Sequence, residues 1–166
     1  TTTSDEYADC FGFTEEEVFA AMEEFGFSEK EKVKLWYDGF VFGDKKGIYN
    51  PWSILNFLDT GKFSTYWANT SSNSLVGKLI REGSPRTKTI MEDLLNGKNL
   101  HTMLDEQIVY NQLDTNEQAI WSLLLASGYL KVESCEYSPY KRLPEYELAL
   151  TNMEVRFMFE DMIAQW

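Results

Sequence analysis

The sequence has few of the residues that build redox, metal and nucleophilic sites. Cysteine occurs only as Cys10 and Cys135, outside any Cys-x-x-Cys or Cys/His cluster, so we expect free thiols in a reducing compartment rather than disulfides or a zinc site. The single histidine, His101, has no nearby Ser or Cys partner in the sequence, which favours a structural role over a catalytic triad. No signal peptide opens the chain, and its longest mainly apolar run, 119–130, is too short to span a bilayer. These absences predict a cytoplasmic protein without a membrane anchor.

Positive charge is also scarce. The 166 residues include 15 Lys and Arg against 27 Asp and Glu, a formal net charge of −12. Because phosphate binding needs clustered cations, this balance argues against general nucleic-acid binding. The small basic groups are typical of solvated helices or turns: Lys30, Lys32 and Lys34, then Arg86 and Lys88, then Lys141 and Arg142.

No complete catalytic motif is present. The sequence contains neither GxxxxGK[ST] nor GxSxG, so it lacks the phosphate-cradling loop and the nucleophile elbow. Residues 44–46 satisfy D-x-K, but a predicted hairpin tip without a second upstream acid would not hold Mg²⁺. From the residues alone we predict a globular piece with no catalytic residue and no metal site.

The first part of the chain reads as short helices with one hairpin. Thr14 with Glu17 and Ser28 with Glu31 both form capping-box patterns at predicted helix starts. Apolar residues at 40–42 and 48–49 flank a polar, glycine-bounded turn, which predicts a hairpin. Further helices are predicted to begin at Asn50-Pro51, at Ser71 or Ser72, and at Ser84-Pro85.

From Asn99 the pattern changes to α+β. Short strands are predicted at 100–104 and 108–113, followed by a strongly apolar helix that Asp114 or Thr115 caps. A hairpin around Ser138-Pro139 and a helix capped by Thr151 or Asn152 complete the chain. The order helix, hairpin, helix suggests a winged-helix-like unit, and a generic α+β packing unit remains the alternative. We therefore predict a mainly helical α+β fold, with a helical lid-like part at 1–98 and a winged-helix-like part at 99–166.

Several ordered motifs together resemble one family. They are FGFTEEEV (11–18), WYDGFVFG (36–43), IYNPWSILNFL (48–58), YWANTSSNSLV (66–76), NEQAIWSLLLASGYLKV (116–132) and LTNMEVRFMFEDMIAQW (150–166). The chain resembles the predicted AAA-ATPase-like proteins of gut anaerobes, and the likeness covers nearly its whole length. Such proteins look like a P-loop ATPase followed by a helical lid, a winged-helix-like segment and a PD-(D/E)XK-type nuclease domain. Phe40 departs from the family's usual tyrosine.

The resemblance implies a region between the two catalytic domains. The chain's end on Trp166, within an apolar helical pattern, likewise suggests a segment of a longer protein. The fragment would then be no enzyme and bind no cofactor, whereas the parent would bind ATP and Mg²⁺. Its implied partners are the flanking ATPase and nuclease-like domains, and it would relay nucleotide state between them. The isolated chain should neither hydrolyse ATP nor cut DNA.

The resemblance also implies candidate residues near the nucleotide. By position in a lid these are Tyr37, Asp38, Gly39, Asn50 and Pro51. The alternative is an ordinary hairpin that is anchored by Tyr37, Phe40, Tyr49 and Trp52.

Two further polar candidates come from the residues themselves. A polar run at a helix start could contact an anion or peptide, although capping explains much of it: Asn69, Thr70, Ser71, Ser72 and Asn73. Arg156 could reach a phosphate or form a salt bridge.

A second functional class is a stand-alone recognition module of winged-helix type that binds protein or DNA. The helix at 115–127 carries no Lys or Arg, which weakens the DNA version. An exposed aromatic patch would favour a protein partner.

Overall fold

The computed structural model describes residues 12–42, 45–67, 73–104 and 117–164. These residues form seven α-helices and five β-strands, so the predicted α+β, mainly helical fold class is confirmed. The helices are α1 (Glu15–Glu24), α2 (Lys30–Tyr37), α3 (Pro51–Thr60), α4 (Asn73–Arg81), α5 (Pro85–Leu95), α6 (Glu117–Ala126) and α7 (Met153–Ala164). The strands are β1 (Phe40–Phe42), β2 (Lys45–Ile48), β3 (Leu100–Met103), β4 (Leu130–Glu136) and β5 (Glu145–Leu150).

The chain divides into two compact units. Unit 1 comprises Thr1–Thr70 with Thr151–Met158, and unit 2 comprises Ser71–Leu150 with Phe159–Trp166. The predicted division at residue 98, between a lid-like part and a winged-helix-like part, stays a prediction. Helix α5 contacts β3 and β5, and α4 contacts α6, so both helices belong with the sheet. The first residues of α7 belong to unit 1, far from the rest of that unit in sequence.

Unit 1 has an aromatic-rich core. Its buried members come from α1, α2, the end of the hairpin and α3: Val18, Met22, Val33, Tyr37, Tyr49, Ile54 and Phe57. The antiparallel β1–β2 hairpin is extended by an isolated bridge, in which the backbones of Phe13 and Tyr49 exchange hydrogen bonds of 3.0 and 2.8 Å. Tyr37, Phe40 and Tyr49 are buried as the hairpin interpretation requires, but Trp52 is 57% exposed and does not anchor it.

Unit 2 contains a three-stranded antiparallel sheet in the order β3-β5-β4. Leu100 pairs with Leu148, and Leu130 pairs with Leu150. Helix α6 is buried on most sides, as its apolar sequence predicts. The ring of Tyr129 meets that of Phe159, with 5.9 Å between their centroids. The predicted hairpin around residues 138 and 139 is confirmed as β4–β5.

Most predicted helix caps are confirmed where the structure describes them. Thr14 and Glu17 form a reciprocal capping box, and Ser84 accepts a hydrogen bond from the backbone N–H of Thr87. The predicted second capping box is wrong. Helix α2 begins after Glu29, which is the cap residue and makes no side-chain cap, so Ser28 lies one position too early. The Ser28 carbonyl accepts from the backbone N–H of Lys30 at 2.9 Å.

Some predictions fall outside the described residues. These are the strand at 108–113, the turn at 43–44, and the helix starts at Ser71 or Ser72 and at Asp114 or Thr115. Within the described ranges, no helix has the length and apolar character that crossing a membrane requires.

Candidate functional site

Tyr37 lies at the end of α2 with its ring in the core of unit 1 and fully buried. Its hydroxyl donates to the carbonyl of Ser64 at 2.8 Å and accepts from the Ser64 N–H at 2.9 Å. Burial raises the pKa of this phenol well above its usual range, and the nearby Glu154 carboxyl raises it further. Tyr37 is therefore a protonated structural bridge between α2 and the segment after α3.

Asp38 and Gly39 join α2 to the hairpin and to the start of α7. The Asp38 carboxylate accepts from the Gly39 N–H at 2.7 Å, and its carbonyl accepts from Asn152 Nδ2 at 2.9 Å. Gly39 has φ of +115°, and a Cβ there would lie 2.9 Å from the carbonyl oxygen of Thr151. Only glycine suits this conformation and close approach.

Asn50 and Pro51 begin α3 as predicted. The Asn50 side chain accepts from the backbone N–H of Trp52 at 2.9 Å and of Ser53 at 3.3 Å. Pro51 occupies the first turn, where its missing N–H costs nothing. The side-chain oxygen of Asn50 is thus committed to the helix cap.

Sequence reasoning missed Glu154, which is 0% exposed in the first turn of α7. Its Oε1 and Oε2 lie 2.9 and 3.2 Å from Ser53 Oγ, which donates from α3 and is also 0% exposed. Glu154 Oε2 also accepts from the backbone N–H of Trp67 at 2.8 Å. One buried carboxylate therefore connects the start of α7 to two other segments of unit 1.

A sequence signal for Glu154 did exist. Val155, Met158 and Phe159 form the apolar stripe of α7, and Glu154 precedes Met158 by one helical turn. An acid on an apolar stripe must find buried partners. Those partners, Ser53 and Trp67, are 101 and 87 residues away, so the sequence could not name them.

The start of α7 makes two more contacts in unit 1. Asn152 caps the helix, because its Oδ1 accepts from the backbone N–H of Val155 at 3.1 Å. The rings of Trp36 and Phe157 stack at a centroid distance of 5.0 Å and an angle of 17°. Together with the Glu154 contacts, these define the α7 anchor: Asn152, Glu154 and Phe157 with their partners Asp38, Ser53, Trp67 and Trp36.

The remaining candidates are placed only in part. Asn69, Thr70 and Ser71 lie outside the described residues, and Asn73 begins α4. Arg156 is half-buried in α7, and its backbone N–H donates to the Asn152 carbonyl at 3.1 Å. The structure thus brings together Asp38, Gly39 and the α7 start, with Asn50 and Pro51 in the same unit.

Unit 2 has a polar groove of about 610 Å³. It is lined mainly by sheet residues, and His101 Nε2 lies 3.4 Å from Glu147 Oε1 at its surface. Within the described ranges, no group of three or more His, Cys, Asp or Glu side chains could hold a metal ion.

Comparison with known proteins gives one distant relative. No protein-family model matches the chain, and no solved structure matches it. The chain is 23% identical over 156 residues to a protein of Azotobacter chroococcum mcd 1 that is described as an uncharacterized protein in the vnfD 5'region. The match covers 90% of this chain and 27% of that protein, so the chain spans about a quarter of its relative's length.

Proposed function

We propose that the chain is a non-catalytic lid and relay segment of a larger ATPase-like protein. In this role it senses the nucleotide state of a neighbouring ATPase domain and passes it to an attached nuclease-like domain. ATP and Mg²⁺ belong to the parent protein, which we assign to the cytoplasm. The family resemblance of the ordered motifs and the greater length of the distant relative support this proposal.

The α7 anchor carries the proposal. Glu154 joins the start of α7 to Ser53 of α3 and to Trp67, while the later residues of α7 belong to unit 2. Because the Ser53 hydroxyl of α3 donates to Glu154, we expect a displacement of α3 to disturb the first turn of α7. A relay needs such an element, whose two ends report to different parts of the chain.

The experiment uses the parent protein at its full length. Hydrogen exchange of residues 153–164 is compared with and without a non-hydrolysable ATP analogue, in wild type, Ser53→Ala and the exposed control Glu24→Ala. We expect ATP-dependent protection in wild type and in the control, and its loss in Ser53→Ala, which removes the contact of α3 with Glu154. Hydrogen exchange in wild-type α7 that is the same with and without the ATP analogue would refute the relay.

The nucleotide-proximal role of Asp38 has a separate test. Its carboxylate accepts from the Gly39 N–H and its carbonyl accepts from Asn152, so Asp38 already has a structural role in the turn and at α7. If Asp38 also approaches the nucleotide, Asp38→Asn in the full-length protein weakens ATP binding, whereas the change Glu24→Gln at an exposed acid does not. Unchanged ATP affinity in Asp38→Asn would leave Asp38 as a structural residue alone.

A second candidate is a recognition module of winged-helix type. The specific observation in its favour is the sheet order β3-β5-β4, with α6 preceding the β4–β5 hairpin. Helix α6 carries no Lys or Arg, so this version favours a protein partner over DNA. A full-length protein without any ATP response, together with specific partner binding, would favour this candidate.

A further inference from the structure

The connection between β4 and β5 presents two tyrosines to solvent. Tyr137 is 76% exposed and Tyr140 is 95% exposed, the two highest values among the exposed large hydrophobic residues of the described chain. We call residues 137–144 the hairpin tip. Tyrosine exposes a large rigid ring with few rotatable bonds, which is why it is common at the centres of protein interfaces.

The hairpin tip is held in shape before any partner binds. The strands pair as far as Glu136 and Glu145, and the Tyr140 N–H donates to Ser138 Oγ at 3.2 Å. The Lys141 N–H donates to the Ser138 carbonyl at 3.2 Å, and Pro139 and Pro144 restrict the backbone further. A preorganised loop loses less conformational entropy on binding.

Charge narrows the choice of partner. The Lys141 ammonium is paired with Glu145, whereas exposed Arg142 forms no ion pair with any carboxylate among the described residues. Glu136 and Glu145 flank the loop at both ends, and the chain carries a net charge of −12. With Lys141 already paired, the hairpin tip offers one guanidinium, which suits a single carboxylate better than a phosphate backbone that needs clustered cations.

We propose that the hairpin tip docks into a separate protein, whose surface offers an apolar pocket with a carboxylate at its rim. The Tyr140 ring fills the pocket, and the Arg142 guanidinium forms a bidentate pair with the carboxylate. This interaction is independent of the relay role, because every residue it uses lies in the tip of one hairpin.

The experiment begins with the full-length protein in its own cells. Position 137, which is exposed, carries the photo-crosslinker p-benzoylphenylalanine so that Tyr140 stays intact, and the cross-linked protein is identified and purified. Its affinity is then measured calorimetrically for wild type, Tyr140→Ala, Arg142→Ala and the matched control pair Leu35→Ala and Arg81→Ala. The control pair removes an exposed apolar and an exposed basic side chain elsewhere.

The expected result is a defined protein whose affinity falls about thirtyfold in Tyr140→Ala and at least tenfold in Arg142→Ala, with the control pair within twofold. Circular dichroism should show all variants folded, because the substituted side chains are exposed. Cross-links that form only to nucleic acid, only to the same chain or a second copy, or to nothing would overturn the proposal. So would a purified partner that binds Tyr140→Ala as tightly as wild type.

Discussion

Replacing Glu154 by alanine is the sharpest test of how unit 1 is held together. The carboxylate is fully buried and accepts from Ser53 Oγ and from the Trp67 N–H. Alanine removes this acceptor and leaves two donors inside the protein without it. The size of the loss therefore measures the cost of leaving these two donors without their acceptor, which is one part of the α7 anchor.

The magnitude follows from those two donors. Each buried donor that loses its acceptor costs about 1–3 kcal/mol, so Glu154→Ala should lower the free energy of unfolding by about 4 kcal/mol. Ser53→Ala removes one donor and leaves the Trp67 contact, so we expect a loss of about 1–2 kcal/mol. Domains are commonly stable by about 5–15 kcal/mol, so the first change would leave unit 1 marginal.

The assay must resolve unit 1 from unit 2, since two compact units need not unfold together. Native-state hydrogen exchange in α3 and α7 reports the free energy of opening locally. The double variant Ser53→Ala with Glu154→Ala should lower the free energy of unfolding by less than the sum of the two single losses. Without the Ser53 hydroxyl, the removal of Glu154 leaves only the Trp67 N–H without its acceptor. The exposed control Glu24→Ala should stay within about 0.5 kcal/mol of wild type.

Two results would refute this reasoning. A loss below about 1 kcal/mol for Glu154→Ala would mean that the donors find other acceptors at no cost. Strict additivity of Ser53→Ala and Glu154→Ala would mean that the two side chains do not depend on each other.

Three further predictions concern unit 1. Gly39→Ala should lower the free energy of unfolding by at least about 1–3 kcal/mol in urea titration, because φ is +115° and the new Cβ would crowd Thr151; no change would contradict the close approach. Asn50→Ala should cost about 1 kcal/mol through loss of the α3 cap, and Asn50→Asp should restore most of it. The pKa of Tyr37 is raised by burial, so the unfolded state ionises first and stability should fall as pH rises above about 10. Tyr37→Phe should reduce this loss of stability at high pH, measured as the free energy of unfolding against pH. The same slope in the variant and in wild type would contradict the prediction.

Local features of the fold could be predicted from the sequence because their causes are local. The Thr14 capping box, the Asn50-Pro51 start and the Ser84 cap each depend on residues within one turn. The same logic failed at Ser28, because helix α2 begins one residue later than the capping pattern predicts, with Glu29 in the cap position. The pattern alone does not determine the residue at which a helix begins.

The candidate site could be predicted only in outline. Position within a resembling family indicated Asp38 and Gly39, and the structure adds their contacts with Asn152 and Thr151. Glu154 was missed because its burial depends on residues remote in sequence. The assignment of 151–158 to unit 1 could not be predicted for the same reason. Packing between segments that are distant in sequence leaves no periodic pattern in either segment.

The split of unit 1 along the chain has a consequence for synthesis on the ribosome. Residues 1–70 leave the exit tunnel long before Thr151–Met158, so Ser53, Trp67 and the Trp36 ring must wait for their α7 partners. Unit 1 therefore cannot reach its final stability until the intervening residues have emerged, and elongation takes seconds over that length. During that interval the Trp36 ring, which later stacks on Phe157, is accessible to chaperones and to neighbouring nascent chains. A pause after residue 150 would lengthen this exposure.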